Sequence, residues 1–161
     1  MNFAKKLDFL PEQLRTTVVM RAFGLFNVPL LFLTSPRVLA INDETCRVEI
    51  PFRKIVKNHL GSMYFGALAI GADTCVGMLA FEKIKRSKKP IHLVFKDFNA
   101  QFLKRAEGPT VFVCDSGVLI DKMISEALST GERVSQPIPA KAFVGEEVVA
   151  EFALTLSLKL K

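Results

Sequence analysis

The chain has 161 residues, enough to bury a substantial core as one domain. Half of them are hydrophobic, and 22 Lys and Arg against 16 Asp and Glu leave a net charge of +6, a balance that favours phosphate groups, anionic lipid headgroups or nucleic acid without choosing among them. Cys46, Cys75 and Cys114 are odd in number and far apart, with no C-x-x-C and no zinc spacing, which argues against a disulfide framework or a metal module and predicts buried, reduced thiols in a cytoplasmic protein.

Met1 to Leu10 holds no apolar run ending in a small-residue cleavage site, so no secretory signal is expected. Leu10–Phe26 reads as a helix: Pro11 suits a first turn, Glu12 sits near the positive end of the dipole, and Leu10, Leu14, Val18 and Leu25 recur at helical spacing. Asn27, Pro29 and Pro36 then break the chain. The apolar stretch Val18–Leu33 contains Arg21 and Pro29 and lacks the ~20 clean residues of a membrane span.

Arg37–Ile41 and Cys46–Phe52 read as short strands joined by the turn Asn42-Asp43-Glu44; in the second, Cys46, Val48, Ile50 and Phe52 alternate with charged positions. Asn58–Gly61 is a loop. From about Tyr64 to about Lys83 the chain is a helix that is apolar nearly all round, so burial on most sides is expected. Its glycines cost roughly 1 kcal/mol each against Ala, usually offset by close approach of another backbone, here a sheet. Asp73 is the one charged side chain between Asn58 and Phe81. A membrane-spanning reading of Leu60–Phe81 would put it near the bilayer centre at ~2.5–3.5 kcal/mol, so no transmembrane segment is expected, while peripheral membrane contact stays open. The run Lys83–Lys89 ends the helix as either a solvated terminus or a phosphate-binding rim.

Strands follow. Ile91–Phe102 changes phase near Asp97, predicting a bulge. Thr110–Cys114 is a short buried strand, and Val118–Thr130 an amphipathic helix with Gly131 at its C-terminal cap. Glu132–Val144 reads as extended but interrupted by Pro137 and Pro139. From Val148 to Leu160 apolar and polar residues alternate along the clearest strand of the chain. The class is α+β: a long helix against a curled antiparallel sheet.

A carboxylate among apolar residues shifts its pKa upward, which suits a general base or acid. Asn58, Gly61, Gly66 and Asp73 together form N-x-x-G-x-x-x-x-G-x-x-x-x-x-x-D at the mouth and first turns of the long helix. This pattern, with the hairpin, long helix and curled sheet in that order, resembles hotdog-fold thioesterases of the phenylacetyl-CoA thioesterase type over Arg37 to Lys161. There an N-x-x-G is followed by a His-Gly-Gly turn and a helical carboxylate. Here Tyr64 replaces the motif histidine and Phe65 its first glycine, as in a branch assigned as thioesterases by likeness.

The resemblance implies a single hotdog domain over residues 1–161, with 1–33 as an N-terminal helical extension. It implies hydrolysis of an acyl-CoA or acyl-carrier thioester, without cofactor or metal. Amides near Phe65 and Gly66 would polarise the carbonyl, and Asp73, as general base or nucleophile, would serve the site of a second subunit in a homodimer or a tetramer of such pairs. Thr74 would orient water or the carboxylate, and Asn58 would fix the loop or bond the substrate. Bland roles stay open: a structural Asp73, Asn58 as a turn residue, Tyr64 with its hydroxyl in water. Leu25 to Phe32 with Met63 and Phe81 are candidates for an acyl tunnel, and Lys54, Lys57 or the Lys83–Lys89 run for CoA phosphates. His59 and His92 read as surface residues. A hydratase pattern would need a histidine where Met78 stands. A non-catalytic acyl-ligand-binding dimer is the alternative, and nothing beyond charge points to nucleic acid.

Overall fold

The computed structural model describes residues 11–161, so the expectations for Met1 to Leu10, including the absent signal and the helix start at Leu10, lie outside the described residues. Helix α1 (Glu12–Asn27) begins directly after Pro11, which is its N-cap rather than part of its first turn. Pro29 starts a second helix instead of only ending the first. Val28 turns the chain at φ −138° and ψ 77°, and α2 (Pro29–Thr34) follows, because proline at the first helical position gives up an N–H that the helix does not use. The two helices meet closely at Gly24, where a Cβ would lie 3.0 Å from the Phe32 nitrogen. Arg21 locks the corner by donating from Nε to the Pro36 carbonyl (3.0 Å) and from Nη2 to the Ser35 carbonyl (2.9 Å).

The sheet contains β1 (Arg37–Ile41), β2 (Cys46–Ile50), β3 (Ile91–Phe102), β4 (Thr110–Cys114), β5 (Val134–Val144) and β6 (Glu147–Leu160), antiparallel throughout in the order β1-β2-β4-β5-β6-β3. Asn42 closes the β1–β2 hairpin, its Oδ1 accepting from the Glu44 and Thr45 amides at 2.9 and 2.8 Å. Thr17 Oγ1 of α1 accepts from the Val38 amide (2.9 Å), so α1 guards the β1 edge. The expected bulge in β3 lies between Phe95 and Phe98. β2 stops at Ile50, short of the expected Phe52, with Pro51 next. Pro137 and Pro139 do not interrupt β5. β4 reaches only as far as Lys141, so the remainder of β5 is an edge on that side and tolerates residues without an N–H.

Helix α3 (Phe65–Ser87) lies against this sheet and buries Leu68, Ala72, Cys75, Val76 and Leu79, each large apolar side chain stabilising by about 1.5–3 kcal/mol. Its glycines are met by rings rather than by a backbone: a Cβ on Gly71 would fall 2.2 Å from Phe112 Cε2. By length and composition α3 qualifies as a membrane crossing, but half of its most apolar window is buried in the protein. The helix runs one turn beyond the expected Lys83. Lys83 is therefore internal, buried and paired with Asp121 (2.6 Å) of helix α4 (Gly117–Thr130), and it belongs to no phosphate rim. Cys46 and Cys114 face each other across β2 and β4, and Cys75 Sγ donates to the Cys46 carbonyl at 3.1 Å. All three thiols are free and buried; burial pushes the Cys114 thiol up to about 11.

Burial of α3 is incomplete. One stripe, comprising Phe65, Gly66, Ala69, Ile70, Asp73, Gly77 and Phe81, is half-buried or exposed. Beside it runs β3, whose outer edge has no strand partner among the described residues.

Candidate active site

The loop before α3 is built by Asn58. Its Oδ1 accepts from the Leu60 amide (2.9 Å) and the Ser62 amide (3.2 Å), and its Nδ2 donates to Ser62 Oγ (3.0 Å). Gly61 completes the turn at φ +81°, a conformation that favours glycine. The loop is anchored where it meets the helix: the Met63 amide donates to the Ala106 carbonyl and the Tyr64 amide to the Val56 carbonyl, each at 2.8 Å. Asn58 thus holds the loop in the manner of a turn residue.

Tyr64 enters the helix in extended backbone and provides no side-chain cap. Helical bonding begins with the Ala67 and Leu68 amides, which donate to the Tyr64 carbonyl at 2.9 and 3.1 Å. The Phe65 and Gly66 amides are left with no acceptor among the described residues, at the positive end of a 23-residue helix. Glycine at 66 is matched to Tyr64, since a Cβ there would lie 2.5 Å from Tyr64 Cε1. The Tyr64 and Phe65 rings pack together with centroids 4.6 Å apart, and Phe65 meets Phe102 of β3 at 6.4 Å.

This helix start borders a cleft of about 590 Å³. Its walls include His59, Tyr64, Phe65, Phe102, Lys104 and Arg105. The last two went unassigned in the sequence reading. Their signal is a basic pair directly after the long β3 strand, which the longer run at Lys83–Lys89 outweighed. That run lies at the far end of α3, roughly 30 Å from Phe65, and does not line the cleft. Its exposed members are partly paired, Lys85 with Glu82 and Arg86 with Asp43.

Asp73 is not sealed in the core. It lies on the open stripe, yet the protein packed about it desolvates the carboxyl enough to raise its pKa above the ordinary value. Thr74 is buried, and its hydroxyl is taken up by the Ile70 carbonyl one turn earlier at 2.6 Å. Asp73 and the two open amides share a helix face but are two turns apart, about 10.5 Å along the axis. One chain does not bring them onto the same atom. Nor does one chain form the expected tunnel: Met63 is buried, Phe81 is exposed about 24 Å along α3 from Phe65, and Leu25 to Leu30 face solvent. Among the described residues, no three His, Cys, Asp or Glu side chains converge as a metal-ligand set.

A family model described as a domain of unknown function, DUF4442, matches residues 16–156. No curated protein matches the sequence. Among solved structures, a Chlorobaculum tepidum protein of unknown function is similar at TM-score 0.79 and 11% identity, over 92% of this chain and 97% of that one. A Pseudomonas aeruginosa protein of unknown function, described as a probable thioesterase, has TM-score 0.75 and 22% identity over 94% of this chain and 97% of that one. A Haemophilus influenzae thioesterase has TM-score 0.64 and 13% identity over 86% and 88% respectively. At these identities the likeness is one of fold, and the fold is the hotdog.

Proposed function

The chain belongs to the DUF4442 family, and from its hotdog architecture and the open start of α3 we propose that it hydrolyses acyl thioesters at a site shared by two copies. The observation that carries this reading is the pair of amides, Phe65 and Gly66, without an acceptor among the described residues, Phe65 on the cleft wall, with a pKa-raised carboxylate on the same helix face. Two preorganised N–H donors suit a carbonyl oxygen that becomes an oxyanion. The partner's Asp73 takes a proton from water, the resulting hydroxide adds to the acyl carbon, and collapse of the tetrahedral adduct expels a thiolate that recovers the proton.

Arg105 and Lys104, the latter paired with Glu147, give the cleft a basic side suited to a phosphopantetheine arm, the element common to CoA and acyl-carrier thioesters. The free edge of β3, with exposed Phe98 and Phe102 beside Phe65, supports pairing of two copies through this side of the molecule. A cytoplasmic setting accompanies the reading, in keeping with three free thiols.

The test is thiol release from an acyl-CoA series. Phe65→Pro removes one open amide at a position where proline fits a helix, and Tyr64, with ψ 138°, already has the backbone that precedes proline. Turnover should fall on the order of 10²–10³-fold while Phe65→Ala, which keeps the amide, falls far less. The Tyr64 ring against Gly66 favours a second reading, a dimer that binds acyl ligands without turnover. A co-purified acyl ligand with no thiol release from any chain length would establish it in place of the first.

A further inference from the structure

The α1–α2 corner turns apolar side chains outward that the hydrolase reading does not use. Phe26 is 81% exposed and Leu30 64% exposed, with Phe23, Val28 and Leu33 exposed around them. Met20 is buried on the same helix, so from Met20 to Phe26 α1 carries apolar side chains on its outer face as well as its inner one. Beside the corner lies the short helical turn Lys54–Val56, joined to it where Arg53 Nη2 donates to the Leu33 carbonyl at 3.5 Å. This turn carries Arg53, Lys54 and Lys57, and between them Ile55 is 59% exposed.

The charge of this face has one sign. No Asp or Glu occurs from Gln13 to Asn42, nor from Pro51 to Ala72. Glu49 of β2 pairs with Arg37 (3.4 Å). Arg53 and Lys54 have no acidic partner among the described residues. The corner packs on β1, at the opposite edge of the sheet from β3, so pairing of two copies through β3 leaves it outside.

We infer that the α1–α2 corner, together with the Arg53–Lys57 turn, docks this protein on an anionic lipid bilayer. Phe26, Leu30 and Ile55 enter the boundary between headgroups and acyl chains, and Arg53 and Lys54 remain at the level of the lipid phosphates. Its exposed apolar side chains beside cations that lack an acidic partner among the described residues match a surface that is apolar below and anionic above.

Co-sedimentation of the full-length protein with vesicles tests this without any turnover. Phosphatidylcholine vesicles containing phosphatidylglycerol should retain the protein, phosphatidylcholine alone should retain it weakly, and about 1 M salt should release most of it. Phe26→Ser with Leu30→Ser, and separately Arg53→Glu with Lys54→Glu, should each lower partition on the order of tenfold or more at unchanged melting temperature. Equal retention on neutral and anionic vesicles, no retention on either, or wild-type partition by both variants would overturn the inference. So would a drop in oligomeric mass on the serine substitutions, since the face would then be covered by a second copy.

Discussion

Gly66 and Asp73 stand on one face of α3, seven residues and about 10.5 Å apart along its axis. That spacing exceeds the reach of an aspartate side chain, so a thioester carbonyl seated on the Gly66 amide is beyond the Asp73 of the same chain. In the proposed dimer a two-fold axis would place one helix start against the other's carboxylate, and each pair would then hold two equivalent sites. Mixed dimers test this directly. A protomer with Asp73→Asn combined with a protomer carrying Phe65→Pro has one site with both defects and one with neither. The purified heterodimer should recover about half of wild-type thiol release from two nearly inactive parents. A heterodimer as inactive as its parents would place the amides and the carboxylate in service of the same chain, against the shared site.

Asp73 also gives a pH signature. Burial raises its pKa above the ordinary 3.8. Between 3.8 and that raised value the folded chain keeps a proton that the unfolded chain has released, so stability contributed by this group falls as pH rises through the window. Asp73→Asn removes the titration. The difference in melting temperature, variant minus wild type, should therefore grow more positive from about pH 4 upward and level off above the raised pKa. Turnover runs the other way, because the base must be ionised: wild-type kcat/KM should rise across the same window, and Asp73→Asn should lose on the order of 10²–10⁴-fold at neutral pH. A flat stability difference would mean that the carboxyl is unperturbed.

The contrast between Asp73 and β6 shows what local pattern conveys. Alternation from Val148 to Leu160 marked β6 because inward and outward faces differ in every second residue, and the phase change at Asp97 marked the β3 bulge, where Thr155 Oγ1 now donates to Asp97 at 2.9 Å. Asn58 and Gly61 were legible as a turn because Asx chemistry and positive φ are properties of a few adjacent residues. Asp73 was not legible as exposed, since a helix face left apolar and open reads the same as one kept apolar for a core. Lys104 and Arg105 join the cleft because the Met63–Ala106 bond and the bonds of the Leu103 and Lys104 amides to Val149 fix their loop against the start of α3, relations across more than forty residues. Helix α2 was missed because Pro29 reads equally as a stop and as a start, and the packing at Gly24 decides which.

Gly71 tests how tightly the sheet grips α3. A Cβ on Gly71 would fall 2.2–2.6 Å from three atoms of the Phe112 ring, and that ring is fully buried on β4. Gly71→Ala gains helix propensity of about 1 kcal/mol but forces the ring or the helix to shift, at a cost typically of about 1–3 kcal/mol. The net expectation is a loss of stability, read as a lower denaturation midpoint at unchanged slope. Phe112→Leu shortens the obstacle, so Gly71→Ala should cost less in the Phe112→Leu background than in the wild type, a coupling that a double-mutant cycle measures. Gly77 provides the comparison within the same helix. Its nearest neighbour to a new Cβ is Phe95 Cε2 at 3.8 Å, an ordinary contact, so Gly77→Ala should hold or raise the stability of a single copy. If Gly77→Ala instead weakens the association of two copies, the open stripe of α3 is where they meet. If Gly71→Ala is neutral and uncoupled to Phe112, the helix is free to slide in the sheet, and the fixed distance between the α3 amides and the edge of β3 that the cleft requires is lost.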